Sequence, residues 1–342
     1  MRITQGAMMR NYNRRLNHTL NSMNIANQKV ITGRRFLSAA ENPAGSAKVS
    51  TLMKNYMRNE SYIENVKDVM GMFDVVDTAM ASLTQYVRGE NGGYYDIMIA
   101  LNDPSSSMDE REIFAERLRS IQQSMILDCN AMYGDQFLFG GTNTKPPPPF
   151  AIDESGVVTY RGIDVNTTDP EELAKLEILA NETMYVDFGF GLSIDKSSGV
   201  PNDIISNSAF NLAMPGISFL GFGQDEKGMP KNIIVLLGEL ADALDAPTMD
   251  RSEVNVKWDQ LNKQWKSLLV SYTGLGSKAA FLDSTLQRLE TNQENLEIRL
   301  QETAFENPAK LILDFHMLEY AYNSALKMGN SVLSPSFIDF MR

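Results

Sequence analysis

The stretch "TGRRFLSAAENPAGSAK", residues 32–48, decides the fold. Before it, Leu16, Leu20, Met23, Asn27 and Val30 recur at alternating four- and three-residue steps, a heptad seam with one polar position. After it the same period returns from Ser46 to Val87, through Leu52, Tyr56, Ile63, Val66, Met70, Phe73 and Met80. Val69, Val76 and Leu83 widen that second stripe beyond a two-strand seam, so the helix packs against at least two others. The stretch is therefore a joint between two helices. Gly33 ends the first, and Asn42 opens the second with Pro43 as its first helical residue. A phosphate cradle is excluded by spacing: Gly45 is followed by Ser46-Ala47-Lys48 rather than by Lys and a hydroxyl residue, and helical sequence precedes it where a strand is needed.

Working outward, the loop "NDPSSSMDE", 102–110, leads to a capping signal, Ser107 with Glu110, and a helix to about Tyr133. Gly140-Gly141 stops the pattern, and Pro146 to Pro149 form a stiff connector. From there to about Pro230 the chain is rich in turn residues, with strand-like pieces such as "VVTYRGIDV", "TMYVDFGFGLSI" and "ISFLGFG" and one short helix near 170–180. Helical period resumes at 231–245, stops at Pro247, and restarts from about Met249 to Thr303, which at 1.5 Å per residue is roughly 80 Å of helix. Within it Leu282, Leu286, Leu289, Gln293, Leu296 and Leu300 form another four-three seam, and "TGLGSKA", 273–279, marks a kink or a close approach. Then "ENPAK", 306–310, repeats the "ENPAG" of 41–45. A last stripe follows at Leu311, Phe315, Leu318, Tyr322, Ala325 and Val332.

The expected fold is mainly α with a β-rich insert. A long antiparallel helical bundle or coiled-coil rod is built from the N- and C-terminal parts, with a small β domain in the middle. The segments are 1–42, a terminal helix; 43–142, the N-terminal half of the rod; 143–230, the β-rich domain; 231–305, the C-terminal half; and 306–342, the other terminal helix. The two terminal helices cannot bury their stripes alone, because isolated helices of this length are marginal in water. They need each other or neighbouring subunits, and we expect residues 1–40 and 308–342 to order only in an assembly.

Composition narrows the function by exclusion. The 342 residues carry a net charge of -12, with 43 acidic against 31 basic side chains, which disfavours nucleic acid and anionic membranes as partners. No apolar h-region follows the N-terminal arginines, and no run of about eighteen apolar residues occurs. The single cysteine, Cys129, allows no internal disulfide and sits at a helical core spacing. The two histidines, His18 and His316, form no zinc-binding pair, and no nucleophile elbow or dinucleotide motif is present. "DFGFGLSID", 187–195, imitates a kinase motif without its partner motifs. The expectation is a chain with no catalytic, cofactor or metal site.

The stretch "VITGRRFLSAAENPAGSAKVSTL" resembles the N-terminal signature of the flagellin superfamily. "FLFGGTNTKPPPPF" and the ending "EYAYNSALKMGNSVLSPSFIDFMR" resemble the hook-associated protein 3 family within it, the hook-filament junction proteins. The likeness covers roughly residues 1–145 and 230–342. It implies an extracellular structural subunit exported unfolded by the flagellar apparatus, with an export chaperone, hook-associated protein 1, flagellin and its own copies as partners. It also implies that the termini line the inner layer of a ring or helical assembly. The contact residues would be Leu16, Leu20, Met23, Val30, Arg34, Arg35, Glu41, Asn42, Leu311, Phe315, Leu318, Tyr322, Phe337 and Phe340. Where the family often has two acidic residues before the proline, this chain has Glu41-Asn42. Flagellin itself is the neighbouring alternative, against which the proline run and the ending "SPSFIDFMR" argue. A flagellin-like stalk displaying an adhesin or an enzyme is a more distant one.

Overall fold

A computed structural model describes residues 5–88, 97, 108–153, 156–191, 193, 204–205, 208–247 and 250–333. Among these, eight helices carry the chain: α1 Gln5–Thr32, α2 Pro43–Arg88, α3 Met108–Cys129, α4 Pro170–Ala180, α5 Gly216–Leu220, α6 Ile233–Asp245, α7 Arg251–Ala304 and α8 Pro308–Leu333. Seven short strands complete it: β1 Met132–Tyr133, β2 Gln136–Phe137, β3 Phe150–Ile152, β4 Val158–Tyr160, β5 Ile163–Asp164, β6 Tyr185–Val186 and β7 Phe210–Asn211. They pair antiparallel as β1-β2, β3-β4-β5 and β6-β7. The chain is thus mainly α with small β elements between its helical halves.

Backbone contacts divide it into two compact units, residues 1–61 with 289–342 and residues 62–288. The division falls inside α2 and α7 rather than at the joints or the proline run. The smaller unit holds α1, α8 and the adjoining ends of the two long helices. Their contact carries a polar lock: buried Asn59 donates to the carbonyl of Leu289 at 2.9 Å and to Gln293 Oε1 at 2.7 Å, and accepts from the Asn292 amide at 2.7 Å. Gln293 is the polar member of the seam read from the sequence, and its partner on α2 explains why the seam tolerates it. A buried amide must find hydrogen bonds, so such a lock favours one register over its neighbours.

In the larger unit, α2 buries Val66, Val69, Phe73, Val76, Met80 and Leu83, and α7 buries Leu261, Leu268, Leu275 and Leu282. Helices α3 and α6 pack along each other. Helix α6 is apolar on most sides, burying Ile233, Ile234, Leu236, Leu237, Leu240, Ala241 and Leu244. Asn232 caps it, accepting from the N–H of Ile234 at 2.9 Å. Gln122 of α3 donates to the Ile234 carbonyl at 2.9 Å, and Arg119 bridges Asp242 and Asp245 at 3.0 and 2.9 Å.

Three local expectations are corrected. Helix α3 ends at Cys129, because the Asn130 side chain turns to clamp Phe150, donating to its carbonyl at 2.8 Å and accepting its N–H at 3.0 Å. Met132–Tyr133 and Gln136–Phe137 then form a hairpin around Gly134, whose φ is +58°. The segment "ISFLGFG" holds helix α5 rather than a strand: Pro215 starts it, Gly221 at φ +85° stops it, and Ile217, Phe219 and Leu220 are buried. The glycines of "TGLGSKA" interrupt nothing, since α7 runs through them, and an added Cβ at Gly274 or Gly276 would meet nothing within 4 Å. They permit no close approach of a described neighbour. The Ser107 capping signal lies outside the described residues.

The insert shares the core of the larger unit. Tyr160 is fully buried and donates to the Phe139 carbonyl at 3.0 Å, which also accepts from Gly216 N–H at 2.8 Å. Arg161 pairs with Glu182 at 2.9 Å, and Glu182 accepts the Thr142 N–H at 2.8 Å. The Pro146–Pro147 bond is cis. Phe188 and Phe210 close the insert onto Phe73 of α2, with ring centroids 5.5 Å apart between the first two and 5.8 Å between Phe210 and Phe73.

Candidate assembly interface

Sequence dictates the two halves of the joint in the same way. Asn42 and Asn307 each precede a proline that opens a helix, and each uses its side-chain oxygen as the cap. Asn42 Oδ1 accepts the Gly45 N–H at 2.9 Å, and Asn307 Oδ1 accepts the Ala309 N–H at 2.9 Å. Proline at the first helical position has no N–H to leave unpaired and holds φ near the helical value. The repeated motif is a repeated helix start.

Between these caps the two chain segments meet backbone to backbone. Arg35 N–H donates to the Ala304 carbonyl at 2.9 Å and Glu306 N–H to the Gly33 carbonyl at 3.0 Å, a two-bond antiparallel bridge between Arg34 and Phe305. Gly33 closes α1 at φ +68°, a conformation that suits glycine, and its N–H returns to the Lys29 carbonyl at 2.7 Å. Two ion pairs clasp the bridge. Lys29 pairs with Glu41, which also accepts the Leu37 N–H at 3.0 Å. Glu306 takes Arg35 at 3.2 Å and Lys310 at 3.2 Å. Burial works to raise the Glu41 carboxyl, but the Lys29 bond, the Leu37 N–H and the Lys29 charge together hold it below the usual carboxylate range. The Lys310 bond, the Asn307 N–H and the charges of Arg35 and Lys310 lower Glu306 against a smaller opposing effect of burial.

From this bridge α1 and α8 run antiparallel and pack along each other. Ala26 and Leu311 are buried near the joint, and Tyr12 donates to the Ala325 carbonyl at 3.0 Å farther along. The stripes read from the sequence form the inside of this pair: Leu16, Leu20, Met23 and Val30 on one helix, Phe315, Leu318 and Tyr322 on the other, are half-buried. Arg35, Glu41 and Asn42, put forward as contacts between copies, are engaged within the chain. The Arg34 side chain is exposed. Phe337 and Phe340 lie outside the described residues.

The outer face carries the apolar residues that remain exposed. Ile31 is 75% exposed, Leu313 59% and Tyr320 77%, with Ile25, Ile312, Met317 and Met328 also open. A shallow groove of about 410 Å³ between the helices, bordered by Ile25, Ala26, Leu311, Met317 and Leu318, joins that outer face to the seam. The sequence signal for this second stripe was present: Leu313, Met317 and Tyr320 recur at four- and three-residue steps beside the first. A helix with two apolar faces and one partner leaves one face open. Chemically the arrangement offers an apolar docking surface; among the described residues no group of three or more His, Cys, Asp or Glu could hold a metal ion, and no helix is long and apolar enough to cross a membrane.

Residues 3–144 match the family model described as the bacterial flagellin N-terminal helical region. Among solved structures, a putative flagellar hook-associated protein from Vibrio parahaemolyticus superposes with a TM-score of 0.58 at 18% identity, over 78% of this chain and 100% of that one, which shows a shared fold. The FlgL protein of Bacillus cereus matches with a TM-score of 0.46 at 14% identity, over 76% and 100% of the two chains.

Proposed function

We propose that this chain, flagellin-like over residues 3–144 and folded like a flagellar hook-associated protein, is a structural subunit of the bacterial flagellum that joins the hook to the filament. The observation that carries the reading is the α1–α8 pair, whose inner stripe is satisfied within the chain while its outer face presents Ile31, Leu313 and Tyr320. Docking that face on neighbours removes apolar area from water at about 25 cal/mol per Å², enough over several side chains to hold an assembly. The partners on this reading are hook-associated protein 1 on one side, flagellin on the other, and other copies of the chain within a ring or helical layer. The subunit leaves the cell unfolded through the flagellar export apparatus, escorted by an export chaperone, and its single cysteine imposes no disulfide on that passage. It acts by binding and carries out no reaction.

The test is a pull-down of the purified chain against hook-associated protein 1 and flagellin, with a Leu313→Asp, Tyr320→Asp double variant beside it. We expect the wild type to retain both partners and the variant to lose them with its melting behaviour unchanged, because both sites are exposed. Retention of flagellin alone, with copies adding end to end, would favour a filament subunit; retention of neither would overturn the reading.

A further inference from the structure

Within the larger unit, two cavities meet at one side chain. The first, about 230 Å³, lies among Val76, Met80, Phe219 and Leu275 and is bordered by Gly274 of α7. The second, about 510 Å³, is floored by Phe210 and Phe281, whose rings stack with centroids 5.8 Å apart, and edged by Phe190. Lys278 lines both. Its ammonium is half-buried and has no hydrogen-bond or ion-pair partner among the described residues. Burial lowers its pKa from the usual lysine value, the signature of a cation short of water and of a counter-charge. Phe190 and Phe281 stay 37% and 44% exposed at the rim. The groove is thus apolar, open and cationic at its centre, and what completes it is a branched apolar side chain with a carboxylate close by.

The same chain presents such a group on another element. On α3, Ile113 is 66% exposed, and Glu112 and Glu116 beside it are exposed carboxylates without a partner among the described residues. Glu112 and Glu116 lie four apart on one helical face, with Ile113 adjoining. We propose that the Lys278 groove is the socket for helix α3 of a second copy of the chain, with Ile113 seated against Leu275 and Phe281 and Glu116 paired to Lys278. Charge complementarity argues for it: copies with net charge -12 repel over most of their surfaces, and a desolvated, unpaired cation is where an acidic helix gains most from contact. Groove and knob are different surfaces, so the contact is head-to-tail and propagates as a ring or a helix instead of closing as a two-fold dimer. The proposal rests on the reading of the chain as a self-associating subunit and adds a lateral contact away from the terminal helices.

Carbodiimide coupling, which joins an amine to a carboxylate only where they touch, tests it on the full-length protein at high concentration. The expected product is a covalent dimer in which mass spectrometry finds Lys278 joined to Glu116 or Glu112. Lys278→Glu cannot form that link and should lower total dimer yield about tenfold by placing like charges across the contact, Glu116→Lys should do the same, and mixing the two variants should restore the yield through the reversed pair. Gly274→Leu is a second route: it fills the smaller cavity from a helix position with open space, leaves the charge in place, and should abolish the Lys278 link without lowering the melting temperature. Links that map elsewhere, or an undiminished dimer in Lys278→Glu or Gly274→Leu, overturn the proposal. So does coupling of Lys278 only to a different flagellar protein. If the chain still captures hook-associated protein 1 and flagellin while the Lys278 link is missing, this contact alone fails; if both are missing, the junction reading fails with it.

Discussion

Asn59 shows what a single side chain can specify. It is 4% exposed in an otherwise apolar contact and holds α7 by the Leu289 carbonyl, Asn292 and Gln293. Replacing Asn59 by Ala strands the amides of its partners, and we expect a loss of about 1–3 kcal/mol, read as a lower denaturant midpoint for the unit that contains it. The joint offers a pH-dependent counterpart. Glu41 and Glu306 are both held below the ordinary carboxylate range, so folding binds fewer protons than the unfolded chain at those sites. Their contribution is complete above the unfolded carboxylate value of about 4.3 and is lost as pH falls through the lower folded values. The protection factors of the Arg35 and Glu306 amides, whose N–H groups make the bridge, measured against the intrinsic exchange rate at each pH, should be high at neutral pH and fall below that value. In Glu41→Gln the acid sensitivity should shrink, and an unchanged profile would show that the clasp is not what titrates.

At the scale of the element, α7 and α6 make opposite predictions. Gly274 and Gly276 sit in a helix interior with room for a methyl group, so Gly274→Ala should stabilise the larger unit by about 0.5–1 kcal/mol through the unfolded chain. Leu240 is fully buried on α6, and Leu240→Ala should cost about 2–5 kcal/mol in the same denaturant series. These elements were legible because 3.6-residue periodicity and proline-preceding asparagines are local signals: α1, α2, α4, α6, α7 and α8 lie close to where stripes and caps placed them. The misreadings share one cause. Asn130 ends α3 by bonding to Phe150 and α5 forms because Pro215 starts it and the Phe139 carbonyl receives Gly216, contacts made across the fold that no local window contains. The candidate interface was half legible for the same reason. Its apolar stripes were visible in the sequence, but which stripe faces the other terminus and which faces outward depends on a pairing between residues near opposite ends of the chain.

For the molecule as a whole, two compact units imply two unfolding events, and substitutions should sort between them. Leu318 is half-buried in the α1–α8 pair, so Leu318→Asp should lower the transition of the smaller unit, leave that of residues 62–288 in place and, on the proposed junction role, abolish flagellar attachment in a motility assay. Limited trypsin digestion of the variant should then trim the terminal helices first. A single transition that falls as a whole would mean the units are not independent. The bridge between Arg34 and Phe305 also sets an order of events in time. Tyr12 and Ala325 are 313 positions apart, so their contact closes nearly the longest loop the chain can make, whereas the Arg161-Gly162 turn and the Asn130–Phe150 clamp close loops of a few to about twenty residues. Loop-closure entropy and contact order make the terminal pair the slowest to form. On the proposed export of an unfolded subunit, a chain threaded from its N-terminus would finish folding its middle while α1 still waits for α8, and for that interval the inner stripe of α1 is open to whatever surface it meets first. The last step of folding and the first step of incorporation then compete for the same side chains, and the outcome is set by rate.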